Sequence, residues 1–281
     1  PGTLFNRALK VEQKIAEGDA VRIRLGYDRI LRDEFSGYVS EIATDNDSVR
    51  IHCEDELYKF RKDLKDRVLK SVTVKTLLTS VAEEVGKYEV ACDYDFTYDN
   101  FTIHAATGYD VLRKVQSETK ANIYLRGKTL HVHPQYAQIG EKVIYDFAVN
   151  IEKSDLKYRD ASKRKFLAVV EGTDAKGKTI RIERGTTGGD KFTPKLPGVS
   201  DRKSLEQRAD EELKVRAYTG YEGSFTGWLE PYVEPTWLAE IRDTEYEYKN
   251  GSYYVLGVET TFCDKGASRV VTIGKRIENN G

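Results

Sequence analysis

Between Ala20 and Cys53 the chain alternates with a period of two for most of its length, and this block restricts the possible folds more than any other. Val21, Ile23, Leu25 and Tyr27 alternate with Ala20, Arg22, Arg24 and Gly26. Successive strand side chains point to opposite faces, so this strand has one apolar and one largely basic face. Phe35 to Ile42 reads as a second strand and Val49 to Cys53 as a third, with Val49, Ile51 and Cys53 on one side. A helix is expected from Glu54, burying Leu57, Phe60 and Leu64 and leaving Glu56, Lys59, Lys62 and Asp63 in solvent. Three amphipathic strands followed by a helix suit the closing part of a small β-barrel, and no catalytic pattern occurs within them.

Composition narrows the partners. The 281 residues carry 45 basic and 46 acidic side chains, a formal net charge of −1, so there is no global field to attract nucleic acid or an anionic membrane. No run approaches the roughly 18 apolar residues of a membrane span, and the start does not read as a signal peptide. Membrane insertion is therefore not expected. Cys53, Cys92 and Cys263 are odd in number and widely spaced, which argues against a disulfide framework or zinc knuckle and suggests small buried hydrophobes. The chain contains no Met and opens at Pro1, so strands preceding this start are expected to be missing from the first domain.

Three segments follow. The first, 1–65, contains the strands above. The second, 66–140, changes to α+β: Thr73 caps a helix with Val74, Leu77, Leu78, Val81 and Val85 on one stripe and Gly86 at its end. Strands are expected near 88–95 and 101–105. Thr107 with Asp110 starts a second helix burying Val111, Leu112 and Val115, and a hairpin of 121–125 and 129–133 turns at Arg126-Gly127-Lys128. The third segment, 141–281, returns to strands at 143–151, 165–172 and 178–183, then a Gly-, Thr- and Pro-rich loop from Arg184 to Ser200. Ser204 and Gln207 suggest a capping box for a helix at about 204–218, with Leu205, Ala209 and Leu213 inward. A meander of 238–248, 252–262 and 268–277 closes the chain, with turns at Asn250-Gly251 and Asp264-Lys265-Gly266. Its pattern loosely echoes the opening block, which raises an internal duplication.

Several motifs invite chemistry and fail on context. Gly172, Gly177, Lys178 and Thr179 match the phosphate-loop pattern at every fixed position. A phosphate loop needs a helix starting at its Lys-Thr end, whereas Lys178 to Glu183 alternates as a strand, so Asp174 to Gly177 reads as a hairpin turn. His131 and His133 share a strand face, but His52 and His104 lie in other elements and no third metal ligand completes the set; a solvated face is expected. Asp93, Asp95 and Asp99 lack the glycine and closing Glu of a calcium loop. No nucleophile elbow occurs, and Glu54, Asp55 and Glu56 carry little information among 46 acids. No catalytic residue, cofactor or metal is assigned.

The chain resembles the late control protein D family of contractile-tail phages, baseplate hub proteins related to the N-terminal part of type VI secretion spike proteins. The resemblance rests on Glu17-Gly-Asp-Ala-Val, Leu25-Gly-Tyr, Glu34-Phe-Ser-Gly-Tyr-Val and Cys53-Glu-Asp-Glu-Leu-Tyr. It continues through Asn150-Ile-Glu-Lys-Ser-Asp-Leu, Arg208-Ala, Gly220-Tyr-Glu-Gly-Ser-Phe and Val270-Val-Thr-Ile-Gly-Lys-Arg-Ile, in collinear order. It implies a mainly β, α+β fold: two tube-like antiparallel β-barrel domains, 1–65 and 141–281, flanking an α+β module, 66–140. It further implies a structural role and no enzyme activity: a homotrimeric ring adapting a hexameric tail tube to a trimeric spike, in a virion baseplate assembled in the bacterial cytoplasm. Arg22 and Arg24 would then face a neighbour or the channel. The rival readings are a tail-associated cell-wall hydrolase and a carbohydrate-binding β protein.

Overall fold

The computed structural model describes residues 14–44, 49–174 and 176–277. The opening block forms a three-stranded antiparallel sheet of β1 (Ala20–Tyr27), β2 (Ile30–Thr44) and β3 (Val49–Glu54). The charged stretch between the first two strands read in the sequence is mostly strand as well. Only Asp28 and Arg29 turn, both at positive φ (51° and 68°), a geometry that matches the twist of a two-residue hairpin. The expected helix from Glu54 is a 3-10 turn over Glu56–Arg61, capped by Asp55. It buries Phe60 and stacks Tyr58 on Tyr38 at 5.8 Å.

The middle of the chain holds β4 (Arg67–Thr73), α1 (Val74–Gly86), β5 (Glu89–Cys92), β6 (Thr97–Ile103), α2 (Gly108–Thr119), β7 (Asn122–Arg126) and β8 (Thr129–His133). Both helix starts form as the sequence implies. Thr73 accepts from the Thr76 N–H, and Thr107 and Asp110 complete a reciprocal capping box. The left-handed residue ending α1 is Lys87, not Gly86, which is the last helical residue. β4 was not anticipated; it pairs with β6, while β5 and β7 flank β8.

β9 (Lys142–Asp146), β10 (Lys153–Ser154) and β11 (Lys157–Arg159) precede a four-stranded sheet. In it β12 (Phe166–Thr173) pairs with β13 (Thr179–Gly185), β14 (Asp190–Phe192) and β15 (Lys195–Pro197). The supposed loop after Arg184 is thus largely spent on two short strands parallel to β12. The following helix α3 (Arg202–Arg216) begins with Asp201 as its cap. Ser204 is not the cap: its hydroxyl donates to Asp201 (2.6 Å) and accepts the Thr97 N–H (2.9 Å), tying α3 to β6. Residues of β12, β13, β15 and α3, among them Val170, Ile182, Leu196 and Leu205, share one apolar core with Leu77, Leu78, Val81, Val115 and Leu130 of the middle segment.

A second core sits inside a seven-stranded sheet. It is built from β9, β10 and β11 with β16 (Gly220–Gly227), β17 (Leu238–Arg242), β18 (Gly251–Cys263) and β19 (Gly266–Ile277), in the order β10-β16-β19-β18-β17-β9 with β11 also on β16. Tyr145, Tyr221, Phe225, Tyr253, Val255, Val271 and Ile273 fill its inner face. The strands read as 143–151 and 238–248 stop at Asp146 and Arg242.

This sheet is curled, and Asn150 lies in the connection between its two edge strands, β9 and β10. The Asn150 carboxamide donates to the Ile144 carbonyl (3.1 Å) and accepts the Asp146 N–H (2.7 Å), occupying the outer edge of β9 as a peptide group would. On the other side the Glu152 N–H donates to the Thr226 carbonyl (2.8 Å), continuing into β10 and β16. Gly227 permits the approach, since a Cβ there would stand 2.8 Å from the Asn150 carbonyl oxygen. The opening sheet and the β17–β18–β19 part of the curled sheet are antiparallel meanders with long central strands, 15 residues in β2 and 13 in β18, but the curled sheet is mixed, not purely antiparallel as expected, because β9 runs parallel to β17. Their first connections differ: two residues after β1, and a longer stretch with a 3-10 turn at Glu247–Lys249 after β17.

Candidate interaction surface

The two terminal sheets are joined by polar contacts that originate in a backbone irregularity. Opposite Ile23 and Arg24, the register of β2 steps from Phe35 to Asp33 and leaves Glu34 as an extra, unpaired residue. Such a bulge re-aims a side chain. Glu34 reaches Arg269 on β19 through two hydrogen bonds of 3.0 and 2.9 Å and accepts the Thr260 hydroxyl of β18. The guanidinium lies 4.9 Å from the centre of the Tyr232 ring and is 2 % exposed. Arg32, one alternation away, pairs with Glu230 at 3.3 Å. A bidentate, desolvated pair of this kind has fixed geometry as well as attraction.

The rest of the opening sheet keeps the alternation read in its sequence. The register places Val21, Ile23, Leu25 and Tyr27 on the same side as Ile30, Arg32, Val39, Ile42 and Ile51. Arg22 and Arg24 lie on the opposite side, where Arg22 Nε donates to Asp33 (2.7 Å) and holds that carboxyl below its usual range. On the apolar side Val39 is buried, while Ile23, Tyr27, Ile30 and Ile51 are exposed.

The motif residues are elsewhere. Gly172 to Thr179 spans the β12–β13 hairpin: Thr173 pairs with Thr179, Asp174 accepts the Lys176 and Lys178 N–H groups at 2.8 Å, and Gly177 sits at φ +82°. His131 and His133 share a side of β8, but it is not a solvated face. His133 is fully buried, bonded to the Pro134 carbonyl (2.9 Å) and the Tyr124 hydroxyl (3.2 Å). His131 stacks on Tyr124 at 5.2 Å, and burial pushes its imidazole below the ordinary value. Asp95 pairs with Lys203 of α3, Glu54 with Arg61 (2.7 Å), and Glu56 with Lys59 (2.9 Å). None of the three cysteines is fully buried, and Cys263 is exposed at the end of β18. Among the described residues no group of three or more His, Cys, Asp and Glu is placed to hold a metal ion. No helix of the structure is long and apolar enough to cross a membrane.

Two further polar assemblies lie outside the motifs of the sequence. Lys249 sits among four tyrosines, 3.8 Å from the centre of Tyr246 and 5.6–5.9 Å from Tyr248, Tyr221 and Tyr158, pinning the β17–β18 connection against β11 and β16. On α3, Glu212 is buried between Arg208 (2.5 Å) and Arg216 (2.8 Å). Burial opposes its charge, but the Arg208 and Arg216 hydrogen bonds prevail and hold the carboxyl below its ordinary range.

No family model matches the chain, and no curated protein matches its sequence. Solved structures do share its fold. The 43 kDa tail protein of prophage MuSo2 from Shewanella oneidensis superposes with a TM-score of 0.63 at 14% identity, over 93% of this chain and 84% of that one. The tail protein from Neisseria meningitidis MC58 gives 0.61 at 14%, over 87% and 81%. The E. coli c3393 protein, a type VI secretion system component described as structurally similar to the T4 bacteriophage tail proteins gp27 and gp5, gives 0.54 at 8%, over 91% of this chain and 64% of that one. The fold is therefore that of phage and prophage tail proteins.

Proposed function

We propose that this chain, carrying a tail-protein fold, is a noncatalytic hub of a contractile tail or prophage-derived injection system. Three copies form a ring around a channel. Each contributes two tube-like parts, one on the opening sheet within 1–65 and one on the curled sheet within 141–281, with 66–140 between them. A repeated unit in each of three chains presents six similar surfaces, which suits a hexameric tube on one side and a trimeric spike on the other. The ring belongs to the baseplate and is assembled in the bacterial cytoplasm.

The observation that carries this reading is the joint itself. Two antiparallel meanders from opposite ends of the chain are held edge-to-tip by Glu34, Arg269 and Thr260, as neighbouring units of a ring would be. Four of the conspicuous carboxylates suit a scaffold too: Asp55 caps a 3-10 turn, and Glu54, Glu56 and Asp95 are held in ion pairs. Sedimentation equilibrium combined with a cell-wall clearing assay tests the proposal. A mass of three chains without clearing is expected; a monomer that clears cell-wall substrate would overturn it in favour of a hydrolase.

A further inference from the structure

A cavity between the middle segment and the curled sheet has a strand edge for one wall. It holds about 290 Å³, and all five residues of β7 line it; Gln116 of α2, Glu234 to Thr236 and Tyr254 to Leu256 of β18 complete it. Successive strand side chains point to opposite faces, so five consecutive residues border one cavity only along the edge of their strand. β7 is an edge, pairing with β8 alone among the described residues. The register fixes which backbone groups are left over. Arg126 and Thr129 close the two-residue turn as a hydrogen-bonded pair, and by alternation so do Tyr124 with His131 and Asn122 with His133. Ile123 and Leu125 therefore turn their N–H and C=O groups away from β8, toward the cavity. No other backbone bond to them occurs among the described residues, while their side chains pack on the apolar core and hold the strand in place. The opposite wall offers them no partner: both backbone groups of Val255 are spent on Thr236 and Trp237. At one end the Asn122 carboxamide donates to the Tyr254 hydroxyl (3.4 Å) and bridges the walls.

We infer that this groove takes one extended segment of a partner protein, which adds to β7 as the outer strand of its sheet. The free groups select the occupant. Donors and acceptors alternating in the plane of a sheet, two residues apart, are the complement of another extended backbone, and strand addition of this kind draws its affinity from main-chain hydrogen bonds. Size agrees. One turn of helix is a cylinder about 10 Å across and 5.4 Å long, more than the cavity holds, whereas a strand needs only about 4.8 Å beside β7. The lining selects the side chains. Arg126 and Glu234 contribute one charge of each sign, so neither an acidic nor a basic segment is favoured. Pro235, Tyr254 and Leu256, the last 47% exposed, present apolar surface, so the segment carries apolar residues at alternate positions. The inference does not depend on how many copies of the chain assemble.

Amide hydrogen exchange of the full chain tests this with a synthetic peptide of alternating threonine and valine, lysine at each end, and with its fully N-methylated counterpart. The plain peptide is expected to slow the Ile123 and Leu125 amides at least about tenfold and to leave those of Tyr124 and Arg126, already bonded to β8, unchanged. The N-methylated peptide is expected to protect neither. Leu256→Glu should weaken the protection by the plain peptide with unchanged near-ultraviolet circular dichroism. Failure of the plain peptide to protect both amides would overturn the inference, as would equal protection by both peptides, which would mean side-chain binding without strand pairing. Slow exchange of both amides in the chain alone would overturn it too: independent of concentration, it would mean that the chain fills its own groove, and rising with concentration, that a second copy does.

Discussion

Glu34 and Arg269 are 235 positions apart in sequence and share two hydrogen bonds in the fold. Their pairing is nearly desolvated, so its loss is expected to be costly. Glu34→Ala leaves a nearly buried guanidinium without its anion, and the expected destabilisation is about 3 kcal/mol in urea unfolding. Adding Arg269→Leu removes the stranded charge, so the double variant should recover most of that loss. Equal loss in both variants would mean that packing, not charge pairing, dominates the joint. Glu212 supplies the pH dependence. Its folded-state value is depressed, so its contribution is complete above the unfolded value near 4.3 and is lost as pH falls through the folded one. The stability gap between wild type and Glu212→Gln should therefore be widest near neutrality and shrink as pH falls below the unfolded value toward the lower folded one. A pH-independent gap would contradict this. Neither pair is legible in the sequence in the same way. Arg208, Glu212 and Arg216 are one helical turn apart, and their spacing is visible to anyone who places the helix. Glu34 finds Arg269 only because a bulge turns it toward a strand contributed by the far end of the chain.

Local signals decide the elements that are legible in the sequence. Thr107 and Asp110 specify a helix start by direct reciprocal bonding, and Thr107→Ala should cost about 1 kcal/mol, measured by thermal or urea unfolding. The β12–β13 hairpin was readable against a matching phosphate-loop pattern because period-two alternation after Lys178 outweighs a motif. Elements failed where tertiary pairing overrode composition. Arg184 to Ser200 has the residues of a loop, yet parts of it add to β12. Ser204 has the spacing of a cap, but Asp201 lies three residues earlier and is the better acceptor for it. Asn150 is the clearest case of one side chain acting as an element. By filling the edge of β9 it stands in for a strand, and Asn150→Ala should cost about 2 kcal/mol through two lost hydrogen bonds to backbone groups. Asn150→Asp would retain the acceptor for Asp146 but not the donor to Ile144, so an intermediate loss is expected. An unchanged urea midpoint in Asn150→Ala would show that β9 and β16 are held together without it.

At the scale of the molecule, sequence periodicity reveals strands, but not which strands share a core. Nothing between 141 and 281 signals that 166–213 packs with the helices of the middle segment while 142–158 and 220–277 form the curled sheet. The amphipathic alternation of the opening sheet is legible, whereas which of its apolar residues are buried (Val39) and which exposed (Ile30) is apparent only in the folded chain. Under the proposed ring, the Glu34 joint would hold the two terminal sheets of one protomer as neighbouring units. Electron-microscopic class averages of the isolated protein test this most directly. The account predicts rings of three chains around a central channel with six similar outer densities. Single compact particles at concentrations well above those of assembly would contradict it.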